Sequence, residues 1–422
     1  PCRQAPALAK LRPLLAQCQA RIPRYSYLSP TVPQSRDLAH NKTTHQGSPQ
    51  PSAQGEHSPP GPVRVWALNS GVPYDFSLCP AGLRIPGCAV MGARHPQLLD
   101  LDQLPQGQLN ANLPDAFVMR VGIPHRGGSL AFHAFNEGYP AMVSANAFWL
   151  PAKGKFIVPA ASNLYELDFA LDSAGFTAMN LWKHKGRQDG MAGVFPWSYA
   201  QYVELASSVG AAWWSQPDLC CEPEIATSDD EIDFRIRATA TLLEGTMRVV
   251  YAWQNELAKT CSANVVANLI QPPVPIIQGW SVDHYLRSLD LLQAVWRRWE
   301  PWVASPALIG VGSVCRRNLA DPDHGLRAIL GALEMHRPVG ARFHLFGVKG
   351  AGLPDLLALP WVASADSMAF DFAARVRAHR AGHANTMAHR TAEMSHWMRS
   401  AGQRIACAAA NEIGRASCRE RV

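Results

Sequence analysis

WVASADS, residues 361–367, decides the reading of the fold. An apolar start, Trp361-Val362-Ala363, runs into a polar end carrying Asp366 and Ser367. That is the signature of a buried strand whose C-terminal end opens on a site. Working outward, the same form recurs upstream in RFHLFGVK (342–349), LIGVGS (308–313), VPIIQGW (274–280), AAWWSQPD (211–218), LDFALDS (167–173), AMVSANAF (141–148) and FVMRVGIP (117–124). Each run is bounded by Gly, Pro or Asn and is rich in β-branched or aromatic residues.

Longer amphipathic stretches lie between the runs. Trp197 to Gly210, Asp230 to Lys259, Val282 to Trp299 and His324 to His336 repeat apolar residues near a 3.6 period and are read as helices. Strand–helix alternation calls for a parallel sheet, and eight units fit a (β/α)8 TIM-type barrel of the α/β class. A doubly wound open sheet is the alternative. The barrel is favoured because polar residues collect at the strand ends: Asp172, Asp218, Gln278, Gly312 with Ser313, Lys349 and Asp366. In a barrel those six ends converge on one face.

Three converging carboxylates suit displacement at a sugar carbon, one as nucleophile and another moving a proton. Ser367 is expected to orient Asp366. In LDSAGF (171–176), Ala174 and Gly175 let a flat ligand approach the backbone. Asp218 and Gln278 offer an acceptor and a mixed donor and acceptor, the set that reads a guanine edge. The N–H groups of Gly310-Val311-Gly312-Ser313 are placed to hold a carbonyl oxygen. Taken singly, each has a plainer reading, since a strand-end Asp often caps a helix and a buried Gln often satisfies backbone. Arg316, Arg317, Lys349 and Arg375 lie beyond strand ends and suit phosphates around an extruded base, or form a solvated basic rim.

The chain has 422 residues, 47% hydrophobic and 17% charged, with a formal net charge of +6. This is a globular profile whose mild charge permits a polyanionic partner without requiring one. Its ten cysteines show no paired CxxC spacing, so a reducing cytoplasmic setting is expected, with no membrane span. Residues 26–62, dominated by Ser, Pro, Gln, His and Gly, read as disordered, and residues 1–115 as a disordered or upstream extension. Met119 is a candidate start. The domain proper is placed at 116–400, followed by a tail at 401–422. Within it, EIGRASCRERV (412–422) reads as the translation of a sequencing adapter, leaving Cys418 without a role.

Six motifs, in order, resemble the tRNA-guanine transglycosylase superfamily and more closely its DpdA-type branch, the deazapurine DNA-modification transglycosylases. They are LDSAGF, SQPDLCCEP (215–223), IIQGW (276–280), IGVGSVCRRN (309–318), HLFGVKG (344–350) and SADSMAF (364–370), spread over about residues 119–400. The resemblance implies a pentosyltransferase that exchanges guanine for a 7-deazaguanine such as preQ0. Asp366 would attack C1′ and Asp172 would handle the base's proton. Ser173, Gly175, Phe176, Asp218, Gln278, Gly279, Gly310, Gly312, Ser313 and Gly347 would form the base pocket. No ATP or redox cofactor is implied, although a helper ATPase is among the partners it allows.

The tRNA enzymes carry a Cys-x-Cys-x2-Cys and His zinc site after the last strand. Here that region reads RVRAHRAGHANTMAHRTAEMSHW (375–397), with His379, His383, His389 and His396 but no such cysteines. Zinc is therefore not expected, and DNA is favoured over tRNA as substrate. The same exchange on tRNA, a non-catalytic nucleic-acid-binding barrel and an unrelated barrel glycosidase remain alternatives.

Overall fold

The computed structural model describes residues 113–419 apart from 115, 125–127, 159–162, 260, 301 and 316. The expected disorder of residues 26–62 and most of the extension therefore lie outside the described residues. Among the described residues, eight strands form one parallel sheet: β1 (Val118–Ile123), β2 (Ala141–Ser144), β5 (Phe169–Asp172), β6 (Trp213–Trp214), β7 (Ile276–Ile277), β8 (Leu308–Val311), β9 (Arg342–Leu345) and β10 (Val362–Ser367). Each falls within one of the apolar runs. A small antiparallel hairpin, β3 (Trp149–Leu150) with β4 (Lys155–Phe156), is inserted between β2 and β5.

The sheet order is β6-β5-β2-β1-β10-β9-β8-β7, so neighbours in space are successive sheet strands and β1 lies beside β10. Helices follow the strands: α1 (Ser129–Asn136), α2 (Gly175–Lys185), α3 (Tyr199–Ser208), α4 (Asp229–Ala258), α5 (Ala263–Leu269), α6 (Val282–Trp299), α7 (Leu326–His336), α8 (Leu353–Leu357), α9 (Ala369–Arg380) and α10 (Met387–Arg419). Their starts are locally encoded. Ser198 with Gln201 and Ser281 with His284 form reciprocal caps on α3 and α6, and Ser228 accepts the N–H of Glu231 at the head of α4.

The outer strands β6 and β7 are short because Pro217 follows β6 and Pro275 precedes β7, and proline has no N–H to give a ladder. They meet through one parallel bridge, Ser215 to Val274. The N–H of Val274 donates to the Trp214 carbonyl (2.8 Å), and that of Gln216 donates to the Val274 carbonyl (2.9 Å). The buried Gln216 side chain stands in for the missing ladder. Its Oε1 accepts the Ile276 N–H at 3.1 Å, and its Nε2 donates to the carbonyls of Pro217 (3.0 Å) and Thr239 (2.9 Å).

Alternation along the strands divides the core in two. On β1, Met119, Val121 and Ile123 join the large cluster between sheet and helices. On the other face of the sheet a smaller cluster holds Met142, Ala170, Trp213, Val274, Leu308 and Ala363, with Phe346 and Leu113 against it. Met119 thus lies inside β1, paired with Ala365, and not at the edge of the fold. Residues before it already contact the body, since the Pro114 carbonyl accepts from Arg342 at 2.5 Å. At the other end α10 runs across residue 400 to Arg419. None of the described helices is long and apolar enough to cross a membrane.

Candidate active site

Asp172 closes β5 opposite Ser144 of β2. The next turn is tight: Ala174 adopts φ +68°, unusual for a residue with a Cβ, and donates its N–H to Asp172 Oδ2 at 3.0 Å. Burial, followed by the negative charge of Asp366, pushes the Asp172 carboxyl up to about 6, against the pull of hydrogen bonds from Ala174, Ser144 and Ser173. A carboxyl tuned in this way holds or releases a proton near neutral pH.

Asp366 sits near the end of β10, beside Arg120 of β1 in the ladder. Gly347 directly follows Phe346 at the end of β9 and adopts φ +75°, a conformation that glycine reaches without strain. Its N–H donates to Asp366 Oδ1 at 2.9 Å. His344 Nε2 approaches the same oxygen at 3.4 Å, without hydrogen-bond alignment. His344 is fully buried, with Nδ1 2.7 Å from Ser364 Oγ and its ring edge-on to Trp213 and Phe346. Burial lowers its pKa and the Asp366 carboxylate opposes that shift, so the ring favours the neutral form.

Ser367 does not orient Asp366. Successive strand residues face opposite ways, and the Ser367 hydroxyl instead accepts the N–H of Ala369 at the start of α9 (3.2 Å). The hydrogen-bond donor is the Gly347 N–H, with His344 close by, both within HLFGVKG and brought to Asp366 by the β9–β10 pairing.

Beyond the ends of β5, β6, β7 and β8 lies one continuous buried network. Ser173 Oγ donates to Asp218 Oδ1 at 2.5 Å, and Gln278 Nε2 donates to Asp218 Oδ2. Ser313 Oγ lies 2.6 Å from Gln278 Oε1. Burial, with the Asp172 charge second, pushes Asp218 up to about 7, against the hydrogen bonds of Ser173 and Gln278.

The glycines make room for this network. A Cβ on Gly312 would come within 2.2 Å of Gln278 Nε2, and one on Gly175 within 2.6 Å of the Asp218 carbonyl. On Gly310 it would meet Phe346 at 2.6 Å, and on Gly279 the start of α6 at 2.9 Å. Their first duty is therefore clearance for protein atoms. The N–H of Gly312 is taken by the Ile277 carbonyl (3.0 Å) and that of Gly310 by Pro275 (2.8 Å), so neither is free to hold a ligand carbonyl as expected.

At the rim Phe176 opens the first turn of α2 and is half exposed. Lys349 is exposed beyond β9. Arg375 is exposed on α9, 3.5 Å from Asp371. Arg316 lies outside the described residues. Arg317, expected to face phosphates, is buried. Its Nε donates to the Ser313 carbonyl (2.8 Å), Nη1 to those of Trp280 (2.6 Å) and His324 (2.7 Å), and Nη2 to Gly279 (2.9 Å) and the Tyr285 hydroxyl (3.0 Å). All five donors of the guanidinium are committed, so this side chain ties the loops together and is unavailable to phosphate.

In the histidine-rich region, His379 lies on α9, while His383 follows the positive-φ Gly382 that helps end that helix. His389 Nε2 contacts the Ala374 carbonyl at 3.0 Å. Among the described residues no three His, Cys, Asp or Glu side chains are grouped to hold a metal ion.

No curated protein matches this chain. A family model described as DpdA, DeoxyPurine in DNA protein A, does match it, over residues 152–415. That span takes in Asp172, the Asp218–Gln278–Ser313 network and Asp366 with His344, and the chain belongs to the DpdA family.

Proposed function

We propose that this chain is a transglycosylase that replaces guanine in DNA by a 7-deazaguanine of the preQ0 type, through a glycosyl ester on Asp366. Family membership gives it a transglycosylase-type role in deazapurine modification of DNA. The observation that carries the mechanism is the unequal treatment of two neighbouring carboxyls. Asp172 is held up to about 6 under the charge of Asp366, whereas Asp366 accepts the Gly347 N–H. A carboxyl that carries a proton near neutral pH, placed beside a second carboxyl, suits the first to acid work and leaves the second for attack.

In this reading Asp366 Oδ2 attacks C1′ of a deoxyguanosine as the C1′–N9 bond breaks. The Gly347 N–H and His344 Nε2 both meet the carboxyl at Oδ1, so the attack is assigned to Oδ2. Asp172 supplies the proton that the departing guanine takes up. The incoming base then returns a proton to Asp172 as its N9 attacks C1′ and releases Asp366, so two inversions give retention. The exchange needs neither ATP nor a redox cofactor.

Asp218 and Gln278 read the base edge, with Ser173, Gly175, Gly279, Gly310, Gly312, Ser313 and Gly347 shaping the pocket and Phe176 flanking it. Lys349 and Arg375, exposed at the rim, would face phosphate. The sheet that holds these groups is, in our reading, a closed (β/α)8 barrel. The uninterrupted strand order and the Ser215–Val274 bridge support closure, since a doubly wound sheet would reverse direction at a switch point.

The test is nucleoside mass spectrometry of DNA and tRNA from cells supplied with a 7-deazaguanine and expressing the full chain. A deazaguanine deoxynucleoside in DNA, absent with Asp366→Asn, is expected. Deazaguanine confined to tRNA would move the activity to the other substrate.

A further inference from the structure

A hydroxyl has one proton, and the surroundings of Ser313 call for two. Its Oγ lies 2.6 Å from Oε1 of Gln278 and 3.1 Å from Oε2 of Glu222, and it already accepts the N–H of Cys221 at 2.7 Å. With the Gln278 amide nitrogen turned toward an ionised Asp218, one assignment of protons satisfies these groups. A protonated Glu222 donates to Ser313, Ser313 donates to Gln278 Oε1, and Gln278 Nε2 donates to Asp218, which also takes the Ser173 hydroxyl. If Glu222 ionises, it takes the Ser313 proton and leaves Gln278 Oε1 facing lone pairs. The amide then loses the contact that holds its orientation, and a flip would set Oε1 against the Asp218 carboxylate.

We infer that Glu222 is a positioning residue that acts through Ser313 to keep the Gln278 amide nitrogen turned toward Asp218. The pocket thereby presents an N–H donor beside a carboxylate acceptor. This pair matches the C=O and N–H of a guanine-type lactam and mismatches the reversed edge of adenine. The inference rests on the base-exchange reading above and adds the residue that sets its selectivity.

The backbone supports it. Ser313 holds φ +52°, a conformation disfavoured for any residue with a Cβ, and it does so while placing its hydroxyl between the two carbonyl groups. Burial raises the Glu222 pKa, against hydrogen bonds from its own backbone N–H, the Ser313 hydroxyl and the Cys220 thiol. The titratable and charged groups around it are Asp218, Cys220 and Cys221 from its own loop, Arg235 of α4, Tyr285 of α6 and Arg317 after β8. Arg317 pulls the other way, but its donors are spent on other acceptors. Arg235 donates to the carbonyls of Cys220 and Ile225 and to Glu231.

The experiment is calorimetric binding of free guanine and free adenine to the full chain from acid to alkaline pH, for wild type, Glu222→Gln and Ser313→Ala. Wild type is expected to lose guanine affinity as rising pH ionises Glu222. Glu222→Gln keeps a donor for Ser313 at every pH and should lack that part of the decline, although Asp172 and Asp218 still titrate in it. Ser313→Ala should weaken guanine binding about tenfold, the worth of one buried hydrogen bond, and narrow the guanine-to-adenine ratio in step. Guanine binding with superimposable wild-type and Glu222→Gln pH profiles overturns this proposal alone, whether or not Ser313→Ala folds. No guanine binding by wild type at any pH overturns the base-exchange reading and this proposal with it.

Discussion

Replacing Arg317 by methionine keeps the bulk of its stem and removes all five N–H donors. Four backbone carbonyls and the Tyr285 hydroxyl lose their partner, and the guanidinium stacked 3.9 Å over Trp280 goes with them. A buried acceptor left without a donor costs about 1–3 kcal/mol, but such costs overlap and some carbonyls will recover water. Loss of the buried charge itself offsets part of the total. A net destabilisation of about 3–5 kcal/mol follows, comparable to removing one partner of a buried ion pair. For a domain of this size that lowers Tm on the order of 10 °C.

The assay is thermal unfolding without base or DNA, beside the salt dependence of DNA binding. Arg317→Lys should rescue little, because an ammonium has three donors and no planar fork. An unchanged Tm, with the salt slope of DNA binding reduced by about one, would refute the clamp and restore Arg317 to the phosphate rim.

Asp172 yields a pH prediction. Its carboxyl holds a proton in the folded state up to about 6 against 3.8 in the open chain, so between those values the native state binds more protons than the unfolded one. Stability from this group is therefore full at acid pH and falls as pH rises through that window. Asp172→Asn should raise stability by roughly 2–3 kcal/mol above pH 7 and leave it nearly unchanged near pH 4. Urea midpoints at the two pH values check this, and a stabilisation equal at both would contradict it. Phe176 is half exposed, so Phe176→Ala should shift stability by no more than about 0.5 kcal/mol while weakening free-base binding, as calorimetry will show.

Much of this architecture was legible in the sequence because it is written in local pattern. The eight apolar runs contain the eight strands, and the helix expected at Val282 to Trp299 has those bounds. Where local pattern ended, reading failed in specific ways. Ser367 adjoins Asp366 in the chain, but strand alternation turns it away, and the true neighbours, His344 and Gly347, come from the adjacent strand. Arg317 looked like a rim cation because its carbonyl partners arrive from three separate segments. Nothing local marks Gln216, whose amide oxygen takes the Ile276 N–H beside Pro275, which has no N–H to give the ladder. The glycines were expected to admit a ligand; a Cβ on Gly312, Gly175, Gly310 or Gly279 would instead meet Gln278, Asp218, Phe346 or α6.

The central claim is that Asp366 forms the covalent bond to C1′. A guanine-containing DNA oligonucleotide, incubated with the full chain and a slowly exchanging base analogue and run on a denaturing gel, tests it most directly. The account predicts a protein–DNA adduct with wild type and none with Asp366→Asn, while Asp366→Asn still binds free 7-deazaguanine. Asp172→Asn should keep the nucleophile and slow the exchange by about 10²–10⁴-fold. An adduct that survives in Asp366→Asn would contradict the account and place the nucleophile on another residue.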